Sequence, residues 1–278
     1  MRRLSIILFI ALTFVVLNGQ LKVVLYRDLF FGDTDYSITE ENPMNPGDVE
    51  APNTDELIIQ EDLLSLSTMI ETRDLLRSGN LYIETTQYRT MFGNRLTRAG
   101  TTQGSGFVFY QNETTYYVLT NYHILVSEGL TPGNTSRIQS LLNDELTATI
   151  VAFDASLDLA VLSFTSENFQ GHVFDLSDRL EVPLKDHEFI LAVGNPLSVL
   201  HMVTYGIYMS HFTISSVDFQ VIYHSAVLHP GSSGGALTDI NGAVLGINTW
   251  SASGSDVDNF AIPLPIIIDF LERNDLAH

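Results

Sequence analysis

Two kinds of apolar spacing divide the chain near residue 80. Upstream, greasy positions come first as one unbroken run and then at helical steps; downstream, they come in short β-branched and aromatic bursts. The opening run, Leu4 to Leu17, is uncharged and mostly apolar behind Arg2 and Arg3, and after Asn18-Gly19-Gln20 it resumes as far as Tyr26. Its length suits a signal-peptide core, and with the second part included it suits a spanning helix. No small-residue cleavage site stands out, so residues 1–26 are expected to form an uncleaved signal anchor, with a cleaved signal peptide as the alternative. Either way the arginines stay inside and the remainder is exported, secreted if the leader is cut.

Residues 27–78 read as a linker followed by a helix. Asp33 to Asp55 is acidic and broken by Pro43, Pro46 and Pro52, which is spacer composition. Asp55 is placed to cap a helix whose apolar residues Ile59, Leu63, Leu66 and Ile70 recur at steps of four, three and four.

From Leu81 onward the period becomes that of strands. LYIETTQY, GFVFY, YYVLT, LTATIVAF and LAVLSF form one set. A polar gap follows, and then FILAVG, VTYGIYMS, FTISSV, FQVIYH, GALTDI, AVLGINTW and FAIP form a second. Many short strands without interleaved helices predict an all-β barrel or sandwich, and the gap predicts two such units, at about 79–165 and 180–278. The tail PLPIIIDFLERN predicts a closing helix with Pro265 in its first turn.

Composition narrows what such a chain can do. With 45% hydrophobic residues it can build real cores. Its 13 basic residues face 33 acidic ones, a net of −20, and that surface repels phosphate backbones, so nucleic acid is not an expected partner. The absence of cysteine removes thiol nucleophiles, disulfides and thiolate metal sites together. The eight histidines form no HExxH pair and no close cluster with carboxylates, so no metal and no cofactor are expected.

Three short stretches carry candidate chemistry. In Gly231-Ser232-Ser233-Gly234-Gly235 a serine is flanked by glycines that let the backbone expose its amides. Alone, that string is an ordinary glycine-rich turn. His123 stands just past the strand-like YYVLT, where a histidine is usually a surface residue. Asp158 stands just before LAVLSF, where a carboxylate would be partly buried and able to hold an imidazole in one tautomer. Taken together, their His–Asp–Ser order puts an acid–base pair in the first unit and a nucleophile in the second.

In these stretches the sequence resembles the trypsin-like serine proteases of the HtrA (Deg) family. The matching segments are GSGFVF (104–109), LTNYHIL (119–125), DASLDLAVL (154–162), VGNP (193–196), PGSSGGALTDINGAVLGINT (230–249) and FAIP (260–263). The resemblance implies two six-stranded antiparallel β-barrels of chymotrypsin-like type with a C-terminal helix. It implies His123 as general base, Asp158 as its orienting partner and Ser233 as nucleophile. Gly231 and Ser233 would supply oxyanion-hole amides, with Ser232 between them. Val227, Leu228, Ile247, Asn248 and Thr249 would border the substrate, and apolar Val227 at the base of the specificity pocket would favour small or medium apolar side chains.

The departures are informative too. Where the family usually reads NPGNSGG, His229-Pro230-Gly231-Ser232 stands here. No stretch up to His278 resembles the PDZ domain that most relatives carry, so a peptide sensor of that kind is not expected to regulate activity. Ser232 cannot pair with a new amino terminus, which makes activation of the digestive-enzyme kind unexpected. The functional expectation is an exported, membrane-held serine endopeptidase acting on polypeptides, with a homo-oligomer possible. The alternatives are a protease-fold binding protein that no longer cuts and a glutamyl endopeptidase.

Overall fold

The computed structural model describes residues 14–17, 20–23, 68, 70–92, 95–141, 145–196, 199–215, 217–251 and 258–278. The chain divides into a unit over Met1–Pro52 and a unit over Asn53–His278. In the first, β1 (Phe14–Leu17) pairs antiparallel with β2 (Gln20–Val23), Leu17 lying opposite Gln20. An anchor helix is expected through this stretch; the described part is extended instead, and the rest of 1–26 lies outside the described residues. The local reason is legible: Asn-Gly between two β-branched apolar runs is a strong hairpin signal. Among the described residues no helix is long and apolar enough to cross a membrane.

Among the described residues of the second unit the first continuous element is helix α1, residues 70–79. It lies later than the helix expected from Asp55, whose apolar positions Ile59, Leu63 and Leu66 fall outside the described residues. Ile70 is 45% exposed, and Leu76 is the residue of α1 buried in the core.

Twelve strands follow, closed into two barrels of six. The first barrel comprises β3 (Asn80–Met91), β4 (Arg95–Asn112), β5 (Thr115–Thr120), β6 (Thr131–Gln139), β7 (Glu145–Asp154) and β8 (Leu159–Thr165). They are hydrogen-bonded in the circular order β3-β4-β5-β8-β7-β6. The second comprises β9 (Phe189–Gly194), β10 (Met202–Thr213), β11 (Gln220–His224), β12 (Ala236–Asp239), β13 (Val244–Ser251) and β14 (Asn259–Pro263), in the order β10-β11-β14-β13-β12-β9. Helix α2 (Leu264–Arg273) closes the chain. Two details differ from the sequence reading. Strand β6, TPGNTSRIQ, has a single aliphatic residue, Ile138, and carries no apolar alternation. The runs VTYGIYMS and FTISSV belong largely to one strand, β10, bent at a bulge between Tyr208 and Ser210.

Strand alternation explains where the cores sit. On β8, Ala160 and Leu162 point into the first barrel with Ile83, Val118 and Ile138. Its other face, Leu159 and Val161, joins a shared core with Leu191 and Val193 of β9 and Ile262 of β14. On β9 the opposite residues, Ile190 and Ala192, fill the second barrel. Leu264, Ile267, Ile268, Phe270 and Leu271 of α2 complete the shared core. Each fully buried side chain of this size contributes about 1.5–3 kcal/mol, so the barrels are held as one body by an apolar seam.

Candidate active site

The first barrel presents an imidazole and a carboxylate. Asp158 lies in the turn ahead of β8 with φ +55°, a backbone conformation that Asp tolerates better than most residues. Asp154 builds that turn, its Oδ1 accepting from the Ser156 amide at 2.9 Å, the Ser156 hydroxyl at 2.6 Å and the Leu157 amide at 3.2 Å. His123 sits in the 3-10 turn Tyr122–Ile124 that follows β5. Asp158 grips it twice: Oδ1 accepts the His123 amide at 2.9 Å, and Oδ2 lies 2.7 Å from Nδ1. A carboxylate can only accept, so Nδ1 carries a hydrogen, and in a neutral ring Nε2 is then the nitrogen with the lone pair. The Asp158 side chain is 15% exposed and that of His123 44%, an anchored acid beside an accessible base. Asn121 donates to the Asp158 carbonyl at 2.9 Å and to Thr249 Oγ1 at 3.0 Å, joining this corner to β13 of the second barrel.

The second barrel presents the serine. Ser233 Oγ donates to the Thr249 carbonyl at 3.0 Å, so the hydroxyl is turned toward β13 rather than toward the imidazole. The loop around it has a regular use of its amides. Ser232 donates to the His229 carbonyl (2.8 Å), Gly234 to Asn248 (2.8 Å) and Gly235 to Ser232 (3.1 Å). The amides of Gly231 and Ser233 donate to nothing among the described residues. His229 to Ser232 forms a turn with Pro230 second and Gly231 third at φ +104°, the requirement of a type II turn. Gly231 is also packed: a Cβ there would stand 2.4 Å from the Asn195 carbonyl oxygen. A peptide loop with two unspent amides beside a serine hydroxyl can stabilise an oxyanion.

The remaining sequence-derived residues fall into two groups. Val227 is half-buried, with its carbonyl accepting from Thr204 Oγ1 at 2.8 Å. Leu228 belongs to the core of the second barrel and Ile247 to the shared core. Asn248 is fully buried, its Nδ2 donating to the carbonyls of Gly235 and Ala236. Those three side chains are occupied inside the fold, so along this edge only backbone is left to meet a ligand. His229 is exposed, and its backbone, not its ring, forms the turn. Residues the sequence reading passed over include Ser105, Asn121, Asp154 and Asn195. Ser105, Asn121, Asp154 and Asn195 all lie inside the family-like segments, but only the fold shows what each touches. Among the described residues no group of three or more His, Asp or Glu could hold a metal ion.

Two closed six-stranded barrels, with a His–Asp pair on one and a glycine-flanked serine on the other, define the chymotrypsin-like class of scaffold. A model of the trypsin-like peptidase domain matches residues 104–247, and the chain belongs to that family. Within it the chain is HtrA-like. It is 34% identical over 158 residues to a probable periplasmic serine endoprotease, DegP-like, of Chlamydia trachomatis, covering 55% of this chain and 29% of that protein. It is 28% identical over 243 residues to the serine protease Do-like HtrA of Bacillus subtilis, covering 78% of this chain and 51% of that one. The chain thus spans about a third to about half of the length of these relatives. Among solved structures, an HtrA-type protease with a tripeptide superposes with a TM-score of 0.58 at 25% identity, covering 76% of this chain and 64% of that one. A serine endoprotease from Yersinia pestis shares the fold with a TM-score of 0.56 at 23% identity, covering 74% and 66%.

Proposed function

We propose that the chain is a serine endopeptidase that hydrolyses peptide bonds of exported or misfolded polypeptides. The observation that carries this reading is the double grip of Asp158 on His123, which fixes Nδ1 as a donor and leaves Nε2 as the ring atom free to act as a base. In the reaction the Ser233 hydroxyl leaves the Thr249 carbonyl, gives its proton to His123 Nε2 and attacks the scissile carbonyl carbon. The resulting oxyanion is received by the Gly231 and Ser233 amides. His123 then protonates the leaving amine, and Ser233 is left acylated. Water, deprotonated by the same imidazole, hydrolyses that ester. Asp158 stays ionised throughout and holds the ring in orientation.

The peptidase unit is assigned to residues 79–278, behind a leader over 1–26 and a linker over 27–78. Residues 4–26 tether it to the outer face of a cytoplasmic-type membrane, in keeping with the arginines before the run and with the periplasmic naming of the Chlamydia relative. A side chain entering beside the half-buried, apolar Val227 finds no charged partner in the neighbouring Ala226 and Leu228 positions, so the bond cut follows small or medium apolar residues.

One observation favours a second reading, a binding protein on a silent protease scaffold: the Ser233 hydroxyl is engaged by Thr249. A fluorophosphonate probe separates the two, because it labels only an activated serine. Labelling of the wild type and its loss in Ser233→Ala, with the thermal midpoint kept, is the expected result; an unlabelled, folded wild type would establish the silent scaffold.

A further inference from the structure

Gly231 and Ser233, the two residues with unspent amides, have one partner in common. Ser105, on β4 of the first barrel, donates from Oγ to the Gly231 carbonyl at 2.6 Å and from its backbone amide to the Ser233 carbonyl at 2.8 Å. A peptide plane whose carbonyl is fixed cannot rotate, and the plane after each of these residues is held at its other end as well. Ser232 N is spent on His229 and Gly234 N on Asn248. The amide of each residue lies in the preceding plane, so these bonds act by fixing where Gly231 and Ser233 sit, and a shift of either residue would carry its amide away from any oxyanion.

The direction of the Ser105 proton is itself determined. Its oxygen accepts from the Asn195 amide at 2.8 Å and lies 3.2 Å from Asn195 Nδ2. The Gly231 carbonyl can only accept, so the single hydroxyl hydrogen points to it, while the Asn195 amide donates to a lone pair of the same oxygen. Asn195 is in turn immobilised. Its Nδ2 reaches Asn80 Oδ1 at 2.7 Å and the Leu81 carbonyl at 2.9 Å, and its Oδ1 accepts the His201 amide at 2.8 Å. Both Ser105 and Asn195 are buried, where hydrogen bonds are short of competing water and a misdirected polar group is costly.

We infer that Ser105, oriented by Asn195, is a positioning residue for the oxyanion turn: it holds the carbonyls of Gly231 and Ser233 so that their amides converge on the oxyanion. This rests on the peptidase reading above. It assigns to the first barrel a share in electrostatic catalysis, although the first barrel supplies no oxyanion-hole amide. The inference predicts a defect larger in the transition state than in the ground state, because an oxyanion draws more on the two amides than a carbonyl does.

The test compares wild type, Ser105→Ala and Ser105→Cys, the last retaining a side chain of similar size but a weak donor. Each is assayed on a fluorogenic peptide with valine before the cut. Each is also titrated with a peptidyl trifluoromethyl ketone, whose hemiketal oxyanion occupies the same hole. Loss of a full oxyanion donor lowers turnover by about 10²–10³, so loss of its support is expected to lower kcat about 10–100-fold. KM should stay within about twofold, and ketone affinity should fall in parallel with kcat. Ser105→Cys should lie between the other two and carries the test by itself should the alanine variant fail to fold. Unchanged kcat in a folded variant, or KM rising in step with the loss of ketone affinity, overturns the inference. A wild type that neither cleaves the peptide nor binds the ketone would instead sink the peptidase reading.

Discussion

The two barrels reach the site by different means. The first delivers side-chain chemistry, an imidazole and a carboxylate whose charges and protons do the work, and the backbone there serves to aim them. The second delivers mostly backbone, a turn whose amides count more than its side chains, with one hydroxyl at its centre. One barrel should therefore be sensitive to changes of charge at constant shape, and the other to changes of shape at constant charge.

Asp158→Asn gives the largest expected effect and tests the first half of that statement. Asparagine tolerates the positive φ of this position and keeps the volume, so the fold should survive. Its amide would favour the wrong imidazole tautomer, and turnover should fall by about three to four decades. A loss under tenfold, measured on the same peptide, would show that the carboxylate charge is dispensable.

Gly231→Ala tests the other half, for it adds one methyl group and no charge. The new Cβ would need to displace the Asn195 carbonyl oxygen and to accept φ +104°, so the turn should flip. A fall in kcat of about two decades is expected, with the pH profile of the His123–Asp158 pair unmoved. A changed profile at unchanged kcat would reverse the division of labour.

The barrels also differ in how they meet acid. Burial in β11 of the second barrel pushes the His224 imidazole down to about 3, and burial lowers His201 and His172 as well. An unfolded imidazole takes up its proton near pH ~6.5, so below that the unfolded chain binds more protons than the native one. Stability supplied by a neutral buried His224 is therefore complete above about pH 6.5 and drains away toward pH 3, by about 1.4 kcal/mol for each unit. Stability from carboxylates such as Glu188, held low by its hydrogen bonds to Arg179, is complete above about pH 4.3 and is lost only below it. Thermal midpoints should thus fall between about pH 6 and 4.5, and His224→Phe should flatten that slope. A midpoint independent of pH across this window in the wild type would refute the assignment.

The smallest effect concerns selectivity. Apolar pockets separate neighbouring chain lengths by only about 1–3 kcal/mol per methylene, so a peptide library should give a mixed Val, Ala, Leu and Ile preference before the cut. A dominant basic or acidic residue would displace Val227 from the base of the pocket.

What the sequence made legible follows the same division. His123 and Asp158 could be paired from the sequence because side-chain chemistry is written in residue type, and the structure brings these two into contact. The strands themselves were readable wherever one face was buried, as along β8 and β9. Strand β6 escaped because it is polar on both faces and is held by its pairing with β3 and β7 rather than by apolar alternation. Ser105 escaped for another reason: its partner in the turn is 126 positions away, and nothing local distinguishes it from any buried serine. The run Leu4–Leu17 reads as helix by hydropathy alone, because an unbroken apolar run has no period to tell helix from strand.

Helix α1 has a consequence for how the molecule is made. It precedes the first barrel in the chain, yet Thr72 Oγ1 donates to the Ile240 carbonyl at 2.7 Å, 168 positions further on. Ribosomes and export machineries release a polypeptide amino end first, so α1 emerges long before its seat exists. For most of synthesis the first barrel is without the β9 and α2 residues that cover its outer seam, Leu159 and Val161 among them. Closing so distant a contact comes late in folding, after the slower non-local strand pairings. Ser233 lies within eight residues of Ile240, so the nascent chain gains the proposed nucleophile and the seat for α1 almost together.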